Sequence, residues 1–309
     1  MNEADFIAAL RTLPLHPGAQ DLRDDCAVIE FGGETLVLTH DAIAEGVHYL
    51  PGTDPYYVAW KLVAASLSDL AAKGAEPVGV LVSASLTDGA ERFVEGLGAI
   101  LSEYAVPLLG GDTIRPAHSP VFGCTAIGRA TTRPVPLRTG ARPGDRLFLA
   151  GELGAAREGY LICRKGGGVL VEGFVEAYLK PRPLLAEGVV LARKATAMMD
   201  ISDGLLLDAH RMAEASGVTI DLASAALPLS AAFWRRSKQL GEDPFEAHAR
   251  SWRDAASWGD DYALLLATDR LLEAEDTPAT FVGYVDERGE HPLLVDGAPP
   301  SGPLGYQHR

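Results

Sequence analysis

Six short motifs in this chain carry aspartates, and each lies where an apolar segment meets a turn. Carboxylates that share a cleft repel one another, so their pKa values rise unless a cation neutralises them. Hard divalent cations such as Mg²⁺ prefer oxygen ligands of this kind and are usually shared with substrate phosphates. A fold that brings the motifs together therefore predicts a protein that handles a polyphosphate through metal ions. The motifs are Asp24-Asp25, Thr39-His40-Asp41, Ser66-Leu67-Ser68-Asp69, Gly110-Gly111-Asp112-Thr113, Asp200-Ile201-Ser202-Asp203-Gly204 and Gly259-Asp260-Asp261-Tyr262.

Two of these motifs could approach a phosphate directly. The glycines of Gly110–Thr113 would let the backbone come close to a ligand, with Asp112 on its metal. An ordinary strand-ending turn fits the same residues. Asp200–Gly204 lies at a predicted strand-to-helix junction, where free N–H groups favour phosphate. Ser202 could instead be the helix N-cap, but that leaves the carboxylate of Asp200 unexplained at the end of an apolar strand.

Structural explanations also stay open for three further residues. Asp69 could pair with Lys73 at i+4 on a solvated helix face. His48 stands alone, and a lone histidine is more often structural than a ligand contact. Asp260 and its neighbour Asp261 fit an ordinary turn as well as a binding site.

Other nucleotide-binding and catalytic motifs are missing from the sequence. It contains no G-x-x-x-x-G-K-[ST] phosphate loop, no protein-kinase motif set and no G-x-S-x-G nucleophile elbow. The run at 166–168 lacks the flanking pattern of a dinucleotide fingerprint and is interpreted as a loop. Nucleotide chemistry would therefore depend on aspartates and metal ions.

A β-hairpin is predicted to carry the first two motifs. Apolar, β-rich runs at 26–31 and 35–43 are separated by Gly32-Gly33, a typical hairpin turn. A two-residue turn places Asp24 opposite Asp41 at the open end of the hairpin. A change of one residue in the loop length places Asp25 opposite Asp41 instead. Either register sets two carboxylates roughly 5 Å apart, and this repulsion requires compensation.

The remaining pattern predicts two α/β or α+β domains. Proline-rich segments at 133–136 and 141–145 predict a linker, so the domains are 1–136 and 137–309. The first domain is predicted to contain a helix from Asp54-Pro55 to Gly74, strands at 78–86, 106–109 and 121–130, and a helix at 89–105. The second is predicted to contain strands at 146–150, 197–202, 218–222 and 263–267, with helices at 203–216 and 231–256.

Composition limits the partners and the location. The 309 residues are 47% hydrophobic and 22% charged, as in a globular enzyme, and the net charge of −15 argues against a nucleic-acid surface. No apolar run approaches the roughly 20 residues needed to span a bilayer, and residues 1–5 lack signal-peptide features. Cys26, Cys124 and Cys163 show neither zinc spacing nor a disulfide framework. These features predict a cytoplasmic protein that binds neither membrane nor nucleic acid.

Taken in order, the motifs resemble those of the thiamine-monophosphate kinase family, in the superfamily of aminoimidazole ribonucleotide synthetase. The resemblance runs from Asp24 to Tyr306. It implies a two-domain fold whose N-terminal sheet joins that of a second subunit in a dimeric β-barrel. A C-terminal α/β domain would close over the ATP site. The most specific segments are 66–75, 110–113, 138–145, 200–204 and 260–262.

The resemblance also implies which residues bind each ligand, position by position, and it assigns no catalytic nucleophile. The implied metal ligands are Asp25, Thr39, Asp41, Asp69, Asp112, Asp200 and Asp203. The implied ATP contacts are Tyr104, Gly111, Asp112, Arg138 and Ser202. The implied acceptor contacts are His48, Asp260 and Tyr306. The sequence departs from the family pattern at Arg23, His40, Asp260 and Ala263, where Gly, Thr, Glu and Glu are usual.

The reaction implied is in-line transfer of the γ-phosphoryl group of ATP to thiamine monophosphate by a homodimer that uses several Mg²⁺ ions. Two alternatives stay open. One is another ATP-dependent enzyme of the superfamily with a different acceptor; selenophosphate synthetase is disfavoured because Cys26 lies outside a Gly-rich Cys/Lys loop. The other is a non-catalytic nucleotide or metal sensor.

Overall fold

The computed structural model describes residues 3–116, 118–166, 173–270, 272 and 279–307. Two sheets, one from each half of the chain, organise the fold. The helices are α1 (Glu3–Leu10), α2 (Pro55–Ala72), α3 (Ala90–Glu103), α4 (Ala155–Arg164), α5 (Phe174–Leu179), α6 (Leu185–Ala192), α7 (Leu205–Ser216), α8 (Ala231–Gln239) and α9 (Pro244–Ala256). The strands are β1 (Ala27–Phe31), β2 (Glu34–Ala44), β3 (Ala75–Ser85), β4 (Leu108–Ile114), β5 (Val121–Ala130), β6 (Arg146–Ala150), β7 (Ala197–Asp200), β8 (Thr219–Leu222), β9 (Leu264–Thr268), β10 (Ala279–Asp286) and β11 (Leu293–Val295).

The first sheet has five strands in the order β1-β2-β5-β3-β4. In the β1–β2 hairpin, Ala27 pairs with Leu38 and Phe31 pairs with Glu34. This is the register expected for a two-residue turn, so the predicted hairpin is confirmed and the shifted register is excluded. Gly32 and Gly33 take the positive φ values, +59° and +88°, that such a turn requires.

Strand β4 differs from its prediction. It was expected to end before the glycine pair, but it continues through Gly110–Thr113 to Ile114. Gly111 has a φ of +157°, and a Cβ there would lie 1.8 Å from the carbonyl oxygen of Val82 in β3. The glycine is therefore needed for close pairing of the two strands, and the strand-ending turn is wrong.

Helix α2 lies between the two halves. Asp54 caps its start by accepting the Tyr56 N–H at 3.0 Å, with Pro55 in the first turn, which confirms the predicted start. Helix α2 is mostly buried. Near its end, Ala71 and Ala72 share a hydrophobic cluster with residues of β6, α6, β7 and β9. The helix therefore belongs to the core of both halves.

The second sheet has six strands in the order β11-β8-β10-β6-β9-β7. The predicted strands β6 to β9 and helix α7 are confirmed, with α7 ended by the left-handed Gly217. The helical stretch expected at 231–256 is two helices, because Gly241 has a φ of +68° and Asp243 caps a new helix at Pro244. Of the loop predicted at 166–168, only Gly166 lies within the described residues. Among those residues, no helix is both long and apolar enough to cross a membrane.

Candidate metal and nucleotide site

Three carboxylates meet where the two halves of the chain join. Asp25 lies in the loop before β1, Asp69 in the last turns of α2, and Asp200 at the end of β7. One carboxylate oxygen from each lies within 4.8 Å of the others. The structure therefore brings together three of the motif aspartates, which are far apart in the sequence.

The pKa values of the three carboxylates are shifted differently by their surroundings. Burial, followed by the charges of Asp41, Asp200 and Asp25, raises the pKa of Asp69 well above its ordinary value. Burial and then the charge of Asp25 likewise raise the pKa of Asp200, against the hydrogen bond from Ser68. A cation between these carboxylates would remove this cost.

Asp25 behaves differently because two protein cations contact it. Its carboxylate lies 2.9 Å from the ammonium of Lys73 and accepts a short hydrogen bond from the guanidinium of Arg138. Burial alone would raise the pKa of Asp25, but these cations lower it to about 2. Lys73 also contacts the carboxylate of Asp24 at 2.7 Å. The interpretation of Lys73 as a partner of Asp69 on a solvated helix face is therefore wrong.

Hydroxyl groups hold the carboxylates in place. Thr39 of β2 donates a short hydrogen bond to Asp69, and Ser68 donates to Asp200 at 2.7 Å. Two residues before Ser68 in α2, Ser66 donates to Asp41 at 2.7 Å. The two serines of this helix thus orient carboxylates from β2 and β7.

A second acidic group adjoins the first at the start of α7. Arg211 bridges Asp203 at 2.5 Å and the buried Asp208 at 3.0 Å, and Asp208 also accepts the backbone N–H of Asp203 at 3.1 Å. Helix α7 is preceded by Gly204, which makes no side-chain cap. Ser202 lies two residues before this cap position, so its interpretation as the N-cap is wrong.

Arg138 links the metal and nucleotide predictions. Its backbone N–H donates to Asp24 at 2.7 Å, and its guanidinium contacts Asp25. Its buried Nε has no hydrogen-bond partner within the part of the chain that the structure describes. That donor fits an anionic ligand such as a polyphosphate.

Gly111, Asp112 and Tyr104 lie away from this group. Asp112 is exposed on the edge strand β4, where its carboxylate accepts the N–H of Thr113 at 2.8 Å. Tyr104 is partly buried at the end of α3, where burial raises its pKa and a hydrogen bond from Arg182 opposes that shift. Within the described ranges of this single chain, no hydrogen bond or ion pair joins either residue to Asp25, Asp69 or Asp200.

Two of the predicted acceptor residues, His48 and Asp260, meet at Lys61 in the first half of α2. The ammonium of Lys61 contacts the carboxylate of Asp260 at 2.7 Å and the carbonyl of His48 at 2.9 Å. It also lies 4.4 Å from the ring centroid of Tyr178. The imidazole Nδ1 of His48 accepts the N–H of Ala44 at 3.1 Å, so the ring is fixed locally.

The segment from Gly259 to Tyr262 is shaped by both aspartates of its motif. Asp260 and Tyr262 have positive φ values of +68° and +49°. Asp261 accepts the N–H of Gly154 at 3.0 Å, at the start of α4. Asp261 is therefore structural, whereas Asp260 faces the junction of the two halves.

The third predicted acceptor residue, Tyr306, lies beside the second acidic group. It is exposed, and its N–H donates to the carbonyl of Asp203 at 3.0 Å. A separate apolar cavity of about 290 Å³ has a lining that includes Leu50, Thr53, Tyr57, Ile162 and Leu179.

The donor set fits magnesium. Asp25, Asp69 and Asp200 offer only carboxylate oxygens, the ligands that Mg²⁺ prefers, and neither histidine nor cysteine belongs to the group. Burial and then neighbouring carboxylates raise the pKa values of Asp69 and Asp200, and a bound cation would offset both effects. The residues present therefore fit one or more divalent cations.

Comparison with known proteins identifies the family. The sequence matches the family models "AIR synthase related protein, N-terminal domain" at residues 23–130 and "AIR synthase related protein, C-terminal domain" at 142–295. It is 37% identical to a thiamine-monophosphate kinase of Caulobacter vibrioides, over 86% of this chain and 77% of the relative. The chain belongs to the thiamine-monophosphate kinase family.

Other members of the family agree over almost the full length. The thiamine-monophosphate kinase of Aquifex aeolicus is 32% identical over 92% of both chains. The structure of AaThiL complexed with AMPPCP and TMP superposes with a TM-score of 0.82 at 30% identity, covering 100% of this chain and 97% of that one. The predicted two-domain α/β fold of the superfamily is thereby confirmed.

Sequence reasoning gave no site role to several residues that contact predicted site aspartates in this family member. They include Ser66, Ser68, Lys61, Lys73, Asp208 and Arg211. Ser68 lies within the motif at 66–69, directly before Asp69, so a role for it in the site could have been predicted from the sequence. The roles of Lys61 and Arg211 depend on contacts that only the folded chain reveals.

Proposed function

We propose that this chain transfers the γ-phosphoryl group of ATP to thiamine monophosphate, giving thiamine diphosphate and ADP. The observation that carries the proposal is the superposition of the whole chain on a family member complexed with AMPPCP and TMP. The acidic group of Asp25, Asp69 and Asp200 supports it, because a polyphosphate substrate needs cations.

The reaction requires no covalent intermediate. An oxygen of the acceptor phosphate attacks the γ-phosphorus, and the bond from that phosphorus to the β,γ-bridging oxygen breaks as ADP leaves. The acceptor phosphate is ionised at neutral pH, so no general base has to remove a proton. Both reactants are anionic, so the site must chiefly align them and neutralise charge.

Magnesium is the proposed cofactor. Bound Mg²⁺ would neutralise the charge on the transferring phosphoryl group. Within the chain, Ser68 and Thr39 orient the carboxylates of Asp200 and Asp69, while Arg138 and Lys73 keep Asp25 ionised. The proposed ligands are Asp25, Thr39, Asp41, Asp69, Asp112, Asp200 and Asp203.

The nucleotide and acceptor are assigned to opposite ends of α2. Arg138, with its unpartnered buried Nε, would hold the polyphosphate together with Ser202 and Gly111, and Tyr104 would lie near the base or ribose. His48, Asp260 and Tyr306 would contact thiamine monophosphate. The apolar cavity beside Leu50 suits the uncharged parts of the acceptor rings.

We propose that the chain forms a homodimer through the edge of the first sheet. Leu108, Leu109 and Ile114 of β4 are 50%, 50% and 55% exposed, an apolar edge that a monomer would ordinarily protect. A second copy pairing there, in the proposed β-barrel, would cover these side chains. It would also place Asp112 and Tyr104 beside another subunit.

The proposed domains are 1–136 and 137–309. The segments between the two family-model matches support a division near residue 136. We also propose a cytoplasmic location, because Cys26, Cys124 and Cys163 are free thiols.

The direct test uses purified chain with ATP, Mg²⁺ and thiamine monophosphate, followed by chromatography of the products. The expected result is thiamine diphosphate and ADP in equal amounts, with no product when EDTA removes the metal. ATP binding without any thiamine diphosphate would overturn the acceptor assignment. Product formation in EDTA would overturn the metal assignment.

A further inference from the structure

Lys73 is a fully buried lysine beside the acidic group. It follows the last turn of α2, and its side chain is 0% exposed. Its ammonium lies 2.7 Å from Asp24, 2.9 Å from Asp25 and 2.9 Å from the carbonyl oxygen of Met198. An ammonium has three N–H donors, so three such partners fix its position.

The charge of Lys73 is retained inside the protein. Burial alone would lower the pKa of Lys73, but attraction by Asp24 and Asp25 raises it above its ordinary value. The side chain of Asp24 is also 0% exposed, so neither partner is solvated. A buried pair of this kind is costly to form and is more often a device for geometry than a source of stability.

The contacts of Lys73 lie on two of the three segments that carry the proposed metal ligands, and Lys73 itself directly follows the third, helix α2. Asp25 is a direct partner. Met198 lies in β7 two residues before Asp200, and Asp69 lies one turn before Lys73 in α2. One ammonium thus joins the loop that carries Asp25 to the strand that carries Asp200, across the junction of the two halves.

We propose that Lys73 is a positioning residue that sets the spacing of Asp25 and Asp200 around the Mg²⁺ site. This inference rests on the metal site of the proposed function. Lys73 does not contact substrate; it acts through the carboxylate of Asp25 and the backbone of β7.

Two other roles for Lys73 make different predictions. A simple counter-charge would repel Mg²⁺, so its removal would tighten metal binding. A purely structural tie would leave metal binding unchanged and would alter only the melting temperature. A positioning residue, in contrast, weakens metal binding when it is lost, because the ligands no longer converge.

The test compares two variants that remove the ammonium. Lys73→Met leaves Asp24 buried without its cation and is at risk of misfolding. The double variant Asp24→Asn with Lys73→Met removes one charge of each sign at nearly constant volume. Lys61→Met is the matched control, since it removes a buried lysine about 18 Å away along the same helix.

The readout is Mg²⁺ binding to nucleotide-free protein, measured by calorimetry and by the Mg²⁺-dependent rise in melting temperature. We expect the Mg²⁺ dissociation constant of the double variant to rise by about 10- to 100-fold, with Lys61→Met within about 2-fold of the starting protein. Unchanged or tighter binding in the folded double variant overturns the inference, and so does a double variant that cannot fold.

Parallel assays on the unaltered chain separate this inference from the proposed function. If that chain binds Mg²⁺ and makes thiamine diphosphate while the double variant binds Mg²⁺ equally well, only the role of Lys73 fails. If the unaltered chain binds no Mg²⁺, the metal site of the proposed function fails and the inference fails with it.

Discussion

Two regions along α2, one around Lys61 and one around Lys73, contain similar ion pairs but differ in solvent exposure. Each region has a buried lysine that contacts an aspartate from elsewhere in the chain, Lys73 with Asp25 and Lys61 with Asp260. The side chain of Asp25 is 6% exposed, whereas that of Asp260 is 27% exposed. The region around Lys73, here called the sealed end, suits ligands that must stay fixed around metal ions. The region around Lys61, here called the open end, suits an acceptor that enters and leaves.

The largest effect is expected from removing a carboxylate at the sealed end. Asp69→Asn keeps an oxygen to accept the hydrogen bond from Thr39 but removes a metal ligand and its charge. We expect kcat to fall on the order of 10²-fold or more, because charge neutralisation is the main catalytic demand. Steady-state kinetics at saturating substrates and circular dichroism would establish this.

The matched control is Asp243→Asn at the start of α9. Asp243 caps that helix outside both proposed sites, and Asn also caps helices well, so this variant should keep its activity within about 2-fold. Near-normal turnover by Asp69→Asn, or an equal loss in Asp243→Asn, would contradict the assignment of the sealed end to catalysis.

A smaller and different effect is expected at the open end. Asp260→Ala removes a charged hydrogen-bonding group, worth about 1.5–3 kcal/mol, so KM for thiamine monophosphate should rise about 10-fold or more. KM for ATP and the Mg²⁺ requirement should stay unchanged, as measured by varying each component in turn. Asp260→Glu, the residue usual in the family, serves as the control that retains the charge.

An Asp260→Ala variant that raised KM for ATP while leaving KM for thiamine monophosphate unchanged would break the division between the two ends. The polyphosphate would then lie beside Lys61 rather than beside Arg138.

The smallest effect is expected from a single hydroxyl at the sealed end. Ser68→Ala removes the hydrogen bond to Asp200, which is worth about 1 kcal/mol, so Mg²⁺ affinity should fall about 5-fold. Titration of activity with Mg²⁺ measures this change. A change in KM for thiamine monophosphate with unchanged Mg²⁺ dependence would show that Ser68 acts in acceptor binding rather than in metal binding.

Local patterns predicted the elements well. Proline and glycine signals determined the ends of α2, and the glycine pair determined the register of the hairpin. The motifs also indicated that Asp25, Asp69 and Asp200 serve one site. The structure brings these three carboxylates together, and their role as metal ligands stays a prediction. The predictions of helix ends and hairpin register succeeded because capping and turn geometry act over short stretches of sequence.

Predictions failed where long-range packing decides the outcome. The glycines of β4 look like a turn in sequence. The structure instead needs a glycine at position 111 because the carbonyl of Val82 approaches it closely. Lys73 has the spacing of a solvated partner for Asp69, yet packing of both halves against α2 buries it beside Asp24. The assignments of Asp112 and Tyr104 stay predictions, since the proposed partner subunit would complete that part of the site.

The central claim is that the carboxylates at the sealed end of α2 hold the metal ions that carry the nucleotide. Crystals grown with Mn²⁺ and AMPPCP test it most directly, because Mn²⁺ accepts the same oxygen ligands and scatters anomalously. We predict an anomalous peak within bonding distance of Asp25, Asp69 or Asp200 and of the phosphate oxygens. A nucleotide bound with its metal elsewhere, and with these carboxylates empty, would contradict it.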